Sequence, residues 1–301
     1  MKREDRRQAI MDALIAERAV ELDALADRFA VSRMTIHRDL DELEQAGLLR
    51  KVRGGATIEA GTQFESDFRI RALQDGEAKA RMARAALDLI EPGMTVMIND
   101  GSMAALLGAR LSDRRPVTVI TNNAAILDCA RTEAGVTLIA LGGTFSARFN
   151  AFLGVVTEQA LSRLRADIAF ISAPAVHGTR AFHMDDAVVR AKRAMMAAAD
   201  RRCLLVNHRR FGQSALHALA DLSEFDTIIT DAPPAAPAED ALSASCAGAA
   251  GGASVMIVSN SARSASACSA DWPKRRWLTR RQRRSAAAII ARLARTTASS
   301  M

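Results

Sequence analysis

Six apolar runs alternate with helical stretches across the middle of the chain, and this alternation constrains the fold more than any other feature. The runs are MTVMIND (94–100), PVTVITN (116–122), VTLIALGG (136–143), DIAFISA (167–173), RCLLVN (202–207) and FDTIITD (225–231). Helices are predicted near residues 77–90, 102–112, 123–132, 155–164, 186–200 and 213–221. Repeated β-α units of this kind predict a Rossmann-like α/β domain, with helices on both faces of a mostly parallel sheet.

The first 58 residues carry a different pattern, which is mainly α-helical. Residues 21–30 and 32–47 each place apolar side chains at helical spacing. The following LLRKVRGGATI (48–58) predicts two short strands around a pair of glycines. Two helices joined by a short turn and followed by a glycine hairpin are typical of a winged helix-turn-helix, whose second helix enters the major groove of DNA.

The second helix of this motif has one apolar face, formed by Ile36, Leu40 and Leu43, so its opposite face is available to DNA. The candidate DNA-binding residues lie at the start and outer face of this helix and in the wing: Ser32, Arg33, Met34, Thr35, His37, Arg38, Lys51, Arg53, Gly54 and Gly55. Hydroxyl groups at a helix start can bind phosphates, and basic side chains in a wing can neutralise the backbone or enter the minor groove.

Charge supports this interpretation only locally. The net charge of +7 resides in residues 232–301, which carry 10 basic and 3 acidic residues, whereas residues 1–231 carry 31 of each. Residues 1–60 hold 11 basic and 12 acidic residues, so a small interaction domain with solvated arginines is an alternative. Basic residues nevertheless cluster at 2–7, 33–38 and 50–53, as expected for a DNA-binding surface.

The run VELDALADRFAVSRMTIHRDLDELEQAGLLRKVRGGA (20–56) resembles the N-terminal domain of the DeoR family of bacterial repressors. The family pattern is a leucine-alanine helix, then V-S-x-x-T-I-R-R-D-L, a leucine-rich end and R-x-x-G-G-A, and the match has no gap. Two positions depart from it: His37 replaces the usual arginine, and Arg53 replaces the usual histidine. The first departure predicts a changed base preference or pH-sensitive DNA binding.

Small and polar residues follow the predicted strands, where ligands bind in open parallel sheets. The candidates are Asp100, Gly101, Ser102, Thr121, Asn122, Asn123, Gly142, Gly143, Asn207 and Arg210. The segment 100–102 precedes a predicted helix, so its amides could bind an anion, although such a segment is also typical of a plain helix cap. Asp186 and Lys192 are further pocket candidates, or alternatively solvated helix charges.

Residues 77–231 resemble the DeoR-family sensor domain, which is related to ribose-5-phosphate isomerase and CoA-transferase folds. The segments D-G-S, T-N-N, L-G-G, D-I-A-F and N-H-R-R-F-G correspond to the family's acidic-G-S-T-type loop, T-N-S, L-G-G, D-x-A-F and D-x-S-K-F-G. The resemblance implies a sensor of a phosphorylated sugar or polyol. Met103 and Ala104 replace hydroxyl residues of the phosphate loop, Asn207 replaces the usual aspartate, and Arg210 replaces the usual lysine.

The domains predicted are a DNA-binding domain over 1–58, a linker over 59–76, a sensing domain over 77–235 and a basic, low-complexity tail over 236–301. The tail composition predicts disorder. Three explanations for it stay open: a shifted reading frame near codon 240, a genuine disordered tail, or an arginine-rich segment that adds nonspecific DNA affinity.

The expected function is a transcriptional regulator. It would repress a sugar or polyol catabolic operon, bind double-stranded operator DNA as a dimer or tetramer, and be released by a phosphorylated effector. A phosphosugar isomerase, with Asp100 as base, and a constitutive DNA-binding protein with a degenerate pocket are the alternatives.

No cofactor or metal is expected, because the four cysteines are scattered and His177 and His183 lack further ligands at zinc spacing. The start of the chain, MKREDRRQ, lacks the apolar segment of a secretory signal. A cytoplasmic protein, on the bacterial nucleoid when bound to its operator, is therefore expected.

Overall fold

The computed structural model describes residues 3–17, 19–45, 48–57, 68–235, 242, 254–257 and 266–267. Most of the predicted tail, including all of 268–301, lies outside the described residues. Among the described helices, none combines the length and apolar character needed to cross a membrane.

The N-terminal domain is a winged helix-turn-helix, as predicted. Its elements are α1 (Arg3–Glu17), β1 (Ala19–Glu21), α2 (Leu22–Phe29), α3 (Arg33–Gln45), β2 (Arg50–Val52) and β3 (Gly55–Thr57). The strands form an antiparallel sheet in the order β1-β3-β2. The apolar stripes of the three helices meet in one core, in which Ile10, Leu14, Ile36 and Leu40 are completely buried. This burial fixes which face of α3 remains exposed.

The second domain is built on an eight-stranded sheet in the order β16-β15-β14-β12-β9-β4-β5-β6. Its strands are β4 (Thr95–Ile98), β5 (Val117–Thr121), β6 (Val136–Ala140), β9 (Ala166–Ser172), β12 (Ala199–Leu205), β14 (Thr227–Thr230), β15 (Ser254–Ile257) and β16 (Ser266–Ala267). Every neighbouring pair is parallel except β15 with β16. All six predicted apolar runs lie in this sheet, which confirms the α/β prediction.

Helices and short strands surround this sheet. The helices are α4 (Phe68–Leu73), α5 (Gly76–Leu87), α6 (Ser102–Gly108), α7 (Ala124–Ala130), α8 (Val155–Ser162) and α9 (Asp186–Ala197). The strands β7 (Thr144–Ser146) and β8 (Ala151–Leu153) form a two-stranded antiparallel sheet. A separate three-stranded antiparallel sheet consists of β10 (Ala175–His177), β11 (Arg180–His183) and β13 (His217–Asp221). Two large apolar clusters cover the two faces of the main sheet.

Three segments differ from the sequence prediction. Residues 213–221, expected as a helix, contain β13, because this segment pairs with β11 instead of completing helical turns. Residues 68–73 of the predicted linker are helical, with Phe68 and Ile70 buried. Within the predicted tail, Ser254–Ile257 is a strand that pairs with β14, and Val255 belongs to the core. The sequence analysis did not predict this strand, because the apolar run is short and alanine, serine and glycine dominate the segments on both sides of it.

The direction in which the strands are added reverses between β4 and β9. From β4 the sheet continues to β5 and β6 on one side, whereas β9, β12 and β14 follow on the other. Such a reversal leaves a crevice outside the carboxyl ends of the two strands, which is the usual ligand position in open α/β sheets. Asp100 follows β4 and Ser172 ends β9, so both lie at this crevice.

Candidate DNA-binding surface and ligand pocket

The outer face of α3 presents four of the predicted DNA-binding residues, Arg33, Met34, His37 and Arg38. Met34 is 61% exposed, and His37 and Arg38 are also exposed, whereas Ile36 is fully buried. The Ser32 hydroxyl accepts a hydrogen bond of 3.2 Å from the Thr35 amide, so Ser32 caps the helix. The start of α3 therefore has the polar, capped character that suits contact with phosphate.

The basic residues of this surface differ in what they contact. Arg33 pairs with Asp23 of α2, with a nitrogen–oxygen distance of 2.6 Å. The Lys51 ammonium lies against Asp41 of α3 and 3.3 Å from Nδ1 of His37. Lys51 therefore connects the wing to α3 in this structure.

The arginines of the N-terminal basic cluster differ in exposure, since Arg3 is exposed whereas Arg6 is buried. Arg3, Arg6 and Arg7 all pair with carboxylates of α3, namely Asp39 and Glu42. Two hydrogen bonds of 2.5 and 3.3 Å connect Arg6 to the buried Asp39, and this contact raises the pKa of Arg6. These arginines therefore attach α1 to α3.

The two glycines of the wing are required for different structural reasons. Gly54 has a φ of +85°, a left-handed conformation that side chains rarely adopt, and forms the turn between β2 and β3. Gly55 lies so close to β1 that a Cβ would sit 2.0 Å from the Val20 carbonyl oxygen. Gly54 thus permits the turn, whereas Gly55 permits the sheet.

Substitution of Gly55 by alanine should abolish specific DNA binding, because the methyl group cannot fit unless β3 separates from β1. The matched variant Gly54→Ala has open space around the new Cβ and costs about 1–2 kcal/mol through its φ alone. Thermal unfolding and binding of upstream DNA, both measured on the full chain, compare the two. Equal losses in the two variants would contradict the close approach to β1.

A pocket lies at the crevice between β4 and β9, with a cavity volume of about 90 Å³. Six of the predicted ligand-binding residues line it: Asp100, Gly101, Ser102, Lys192, Asn207 and Arg210. They come from the loop after β4, from α9 and from the loop after β12. Met103 also lines the pocket while Ala104 is fully buried, so only the first of these replacements removes a hydroxyl from the site.

A buried ion pair forms one wall of this pocket. Lys192 lies 3.7 Å from an Asp100 carboxylate oxygen, and both side chains are 2% exposed. The Lys192 ammonium also donates to the Ser172 carbonyl at 2.9 Å. Gly101, at a φ of +110°, leaves room for the Ser172 hydroxyl, which would lie 2.9 Å from a Cβ. Burial lowers the pKa of Lys192, and Asp100 opposes this shift.

Two cations from outside the strand-end loops also line the pocket, and the sequence did not indicate them. Arg71 of α4 and Lys79 of α5 both face the pocket. Burial lowers the pKa of Lys79 to about 8, while Asp75 opposes this shift and Arg210 and Arg71 add to it. No motif distinguishes either residue from the many other basic residues on helices, so only the fold could identify them.

His183 is a third pocket residue that the sequence analysis did not assign. Burial, with Lys192 adding to the effect, lowers its pKa to about 2, so the ring is neutral. Its Nδ1 accepts a 3.1 Å hydrogen bond from the Asp185 amide, which places the ring proton on Nε2. His183 therefore offers an uncharged hydrogen-bond donor.

Five other predicted ligand residues are not among those that line this pocket, and they form structural contacts. Thr121 and Asn123 are fully buried, and Asn123 caps α7 and donates to the carbonyls of Asn99 and Gly101. Asn122 donates to the Phe152 carbonyl, and the Gly142 carbonyl accepts a hydrogen bond from Thr157. A Cβ on Gly143 would lie 2.6 Å from the Leu153 carbonyl oxygen. These residues support the pocket loops instead of lining the cavity.

Asp186 and Lys192 are neighbours on α9 with different surroundings. Asp186 is exposed and pairs with Arg190, which agrees with the alternative prediction that it is a solvated charge on the helix. Lys192 is buried in the pocket wall. The spacing of six residues turns the two side chains toward different sides of the helix.

A winged helix-turn-helix joined to an α/β domain with a cationic pocket at the switch point of its sheet defines a two-domain, DNA-binding transcriptional regulator. Two family models match the chain: a DeoR-like helix-turn-helix domain over residues 6–61 and a DeoR C-terminal sensor domain over residues 74–232. The chain belongs to the DeoR family of transcriptional regulators.

Similar curated proteins are regulators rather than enzymes. The HTH-type transcriptional regulator YgbI of Escherichia coli is 32% identical over 75% of this chain and 89% of its own length. The repressor AccR of Agrobacterium fabrum is 28% identical over 76% of this chain and 90% of its own. The glycerol-3-phosphate regulon repressor of Escherichia coli is 27% identical over 78% of this chain and 93% of its own.

Proposed function

We propose that this protein is a repressor that a small phosphorylated sugar or polyol releases from the operator of a catabolic operon. Four cations of the pocket, Arg71, Lys79, Lys192 and Arg210, face two carboxylates, Asp75 and Asp100. The formal surplus of two positive charges matches a phosphate dianion, and this observation carries the proposal.

The size of the cavity supports a small effector. The cavity volume is only about 90 Å³. That space suits a phosphate group with a short polyhydroxylated chain. Asp100, Asn207 and neutral His183 provide both acceptors and donors for hydroxyl groups. Relatives named as repressors or activators of glycerol-3-phosphate, fucose and aga operons agree with this class of effector.

The active species on DNA is proposed to be a dimer or tetramer of this chain. A single winged helix buries too little surface for strong operator specificity, and two copies read two half-sites. The contacts to DNA come from α3 and the wing, with Arg38 and Arg53 exposed and ready to bind phosphates or bases. Sedimentation of the protein with and without operator DNA measures the number of copies.

Fluorescence anisotropy on DNA from the region upstream of the protein's own gene tests this function. The probes are glycerol 3-phosphate, ribose 5-phosphate, fructose 1-phosphate, glucose 6-phosphate and inorganic phosphate, across a salt series. Saturable binding that one sugar phosphate weakens supports a ligand-released repressor. Tight binding that no probe changes would favour a constitutive DNA-binding protein, although the retained pocket cations argue against a degenerate site.

Phosphate binding should weaken as the pH rises above 8. Lys79 carries its charge below its pKa of about 8 and loses it above, whereas the phosphate dianion does not titrate there. The affinity should therefore fall by up to about 10-fold per pH unit. Calorimetry from pH 7 to 9.5 measures the effect. Lys79→Met should bind weakly with most of the dependence lost, whereas Arg84→Met, an exposed charge on the same helix, should keep it.

A further inference from the structure

Helix α4 contacts both domains, although it has only six residues. Ile70 is 5% exposed and belongs to the apolar core of the winged helix. The next residue, Arg71, lines the ligand pocket of the second domain. At the start of α4, the Phe68 amide donates a 2.9 Å hydrogen bond to the Arg148 carbonyl, which lies between β7 and β8. One turn of helix therefore connects the pocket wall to the DNA-binding core.

The pocket cation Lys79 also binds the backbone of this helix. Its ammonium donates to the carbonyl oxygen of Arg71, and Lys79 is also one of the residues that line the cavity. A neutral carbonyl is a weaker partner for an ammonium than a phosphate oxygen is. An anion that enters the cavity therefore competes with α4 for Lys79.

The side chain of Arg71 has a second ligand-free contact. Its guanidinium carbon lies 5.8 Å from the centroid of the Phe149 ring. Phe149 is buried, and a desolvated cation–π contact contributes about 2 kcal/mol, whereas a bidentate pairing with phosphate makes two charge-assisted hydrogen bonds of about 1.5–3 kcal/mol each. Both cations next to α4 thus have a reason to change partners when an anion binds.

We propose that α4 transmits occupancy of the pocket to the winged helix. An anionic ligand withdraws Lys79 from the Arg71 carbonyl and Arg71 from Phe149, and α4 then leaves the position in which Ile70 completes the DNA-binding core. Protein cores are closely packed, so a shift of one buried side chain changes the arrangement of its neighbours. The identity of the anion rests on the proposed function, whereas the role of α4 does not.

Hydrogen exchange of the ligand-free full chain tests the helix without any ligand. Lys79→Met removes the hydrogen bond to α4 and should raise the exchange of α4 and winged-helix core amides by about 5-fold or more. Arg84→Met removes an exposed positive charge from the same helix α5 and should leave both unchanged. Unchanged exchange in α4 and the winged helix of Lys79→Met would overturn the proposal.

The contact of α4 with the winged-helix core provides a second test. Ile70→Ala should bind a phosphate probe with wild-type affinity, yet its DNA affinity should respond to the probe by less than about 3-fold, against about 10-fold or more in the wild type. Leu73→Ala removes the same type of side chain from an exposed position of α4 and should keep the full response. Ile70→Val, which keeps most of the packing, should respond to an intermediate extent.

The two tests separate the helix from the identity of the ligand. If Lys79→Met loosens α4 and the winged helix but no probe binds the wild type, the role of α4 stands and the sugar-phosphate proposal fails. If a probe binds and releases DNA while Ile70→Ala still responds fully, the effector proposal stands and the role of α4 is wrong. Glycerol 3-phosphate and inorganic phosphate are the probes for both tests.

Discussion

Asp39→Asn should destabilise the winged helix by about 3–5 kcal/mol and abolish operator binding at physiological temperature. Asp39 is 1% exposed, and it holds Arg6 by two hydrogen bonds while Arg3 and Arg7 lie within 4 Å. The amide keeps the shape of the carboxylate but removes the negative charge, so the largely buried Arg6 loses its counter-ion. A domain of this size has only about 5 kcal/mol of stability, so the loss is comparable to the whole.

Matched variants separate the buried pair from the general loss of an acidic residue. Asp27→Asn, at an exposed position of α2, should change stability by no more than about 0.5 kcal/mol. The double variant Arg6→Met with Asp39→Leu removes both charges and should recover much of the loss. Calorimetry and upstream-DNA anisotropy on the full chain give the comparison. A loss in Asp39→Asn no larger than in Asp27→Asn would contradict this account of the pair.

The arginines that contact Asp39 show what a charge pattern in a sequence leaves out. The basic cluster at residues 2–7 supported the prediction of a DNA-binding domain, because basic residues close together are typical of one. The structure pairs Arg3, Arg6 and Arg7 with carboxylates of α3, a contact that the sequence did not indicate. The composition of residues 2–7 indicates neither how α1 is oriented nor which carboxylates it contacts. The apolar stripe of α3 was reliable because burial follows directly from helical spacing.

The ligand pocket was predictable to the extent that it is built from strand ends. Asp100, Asn207 and Arg210 were found because parallel strands deliver their carboxyl ends to one edge. Arg71 and Lys79 come from helices that precede the first strand of the sheet, and no periodicity indicates that these helices contact the pocket. Only the packing of α4 and α5 in three dimensions brings these two cations to the site.

Short elements were the least predictable part of the fold. The hairpin strands β7 and β8 and the small-sheet strands have three to five residues each, which is too short for an alternating pattern to be distinguished from chance. His217–Asp221 contains alternating apolar residues that fit a helix as well as a strand. Its pairing with β11, which lies more than 30 residues earlier in the chain, decides its conformation.

Asp100→Asn should strengthen the binding of inorganic phosphate by about 10-fold or more, although it lowers the stability of the ligand-free protein by about 3 kcal/mol. In the free protein Asp100 balances Lys192, so its removal leaves a buried ammonium with a pKa lowered further. Two negative charges about 8 Å apart repel by about 2 kcal/mol at an effective dielectric constant of 20. The substitution removes this repulsion, and Lys192 then pairs with the phosphate only.

Calorimetry in two buffers of different ionisation enthalpy detects the accompanying change in protonation. Because the anion raises the pKa of Lys192 again, Asp100→Asn should take up more protons on binding than the wild type does. Asp128→Asn, at an exposed position of α7, removes one negative charge from a residue outside the pocket lining and should match the wild type. Sugar phosphates should gain less than inorganic phosphate if Asp100 also accepts hydrogen bonds from their hydroxyl groups. Weaker binding of inorganic phosphate to Asp100→Asn would mean that the anion does not face Lys192, and the site of the effector would then have to lie elsewhere.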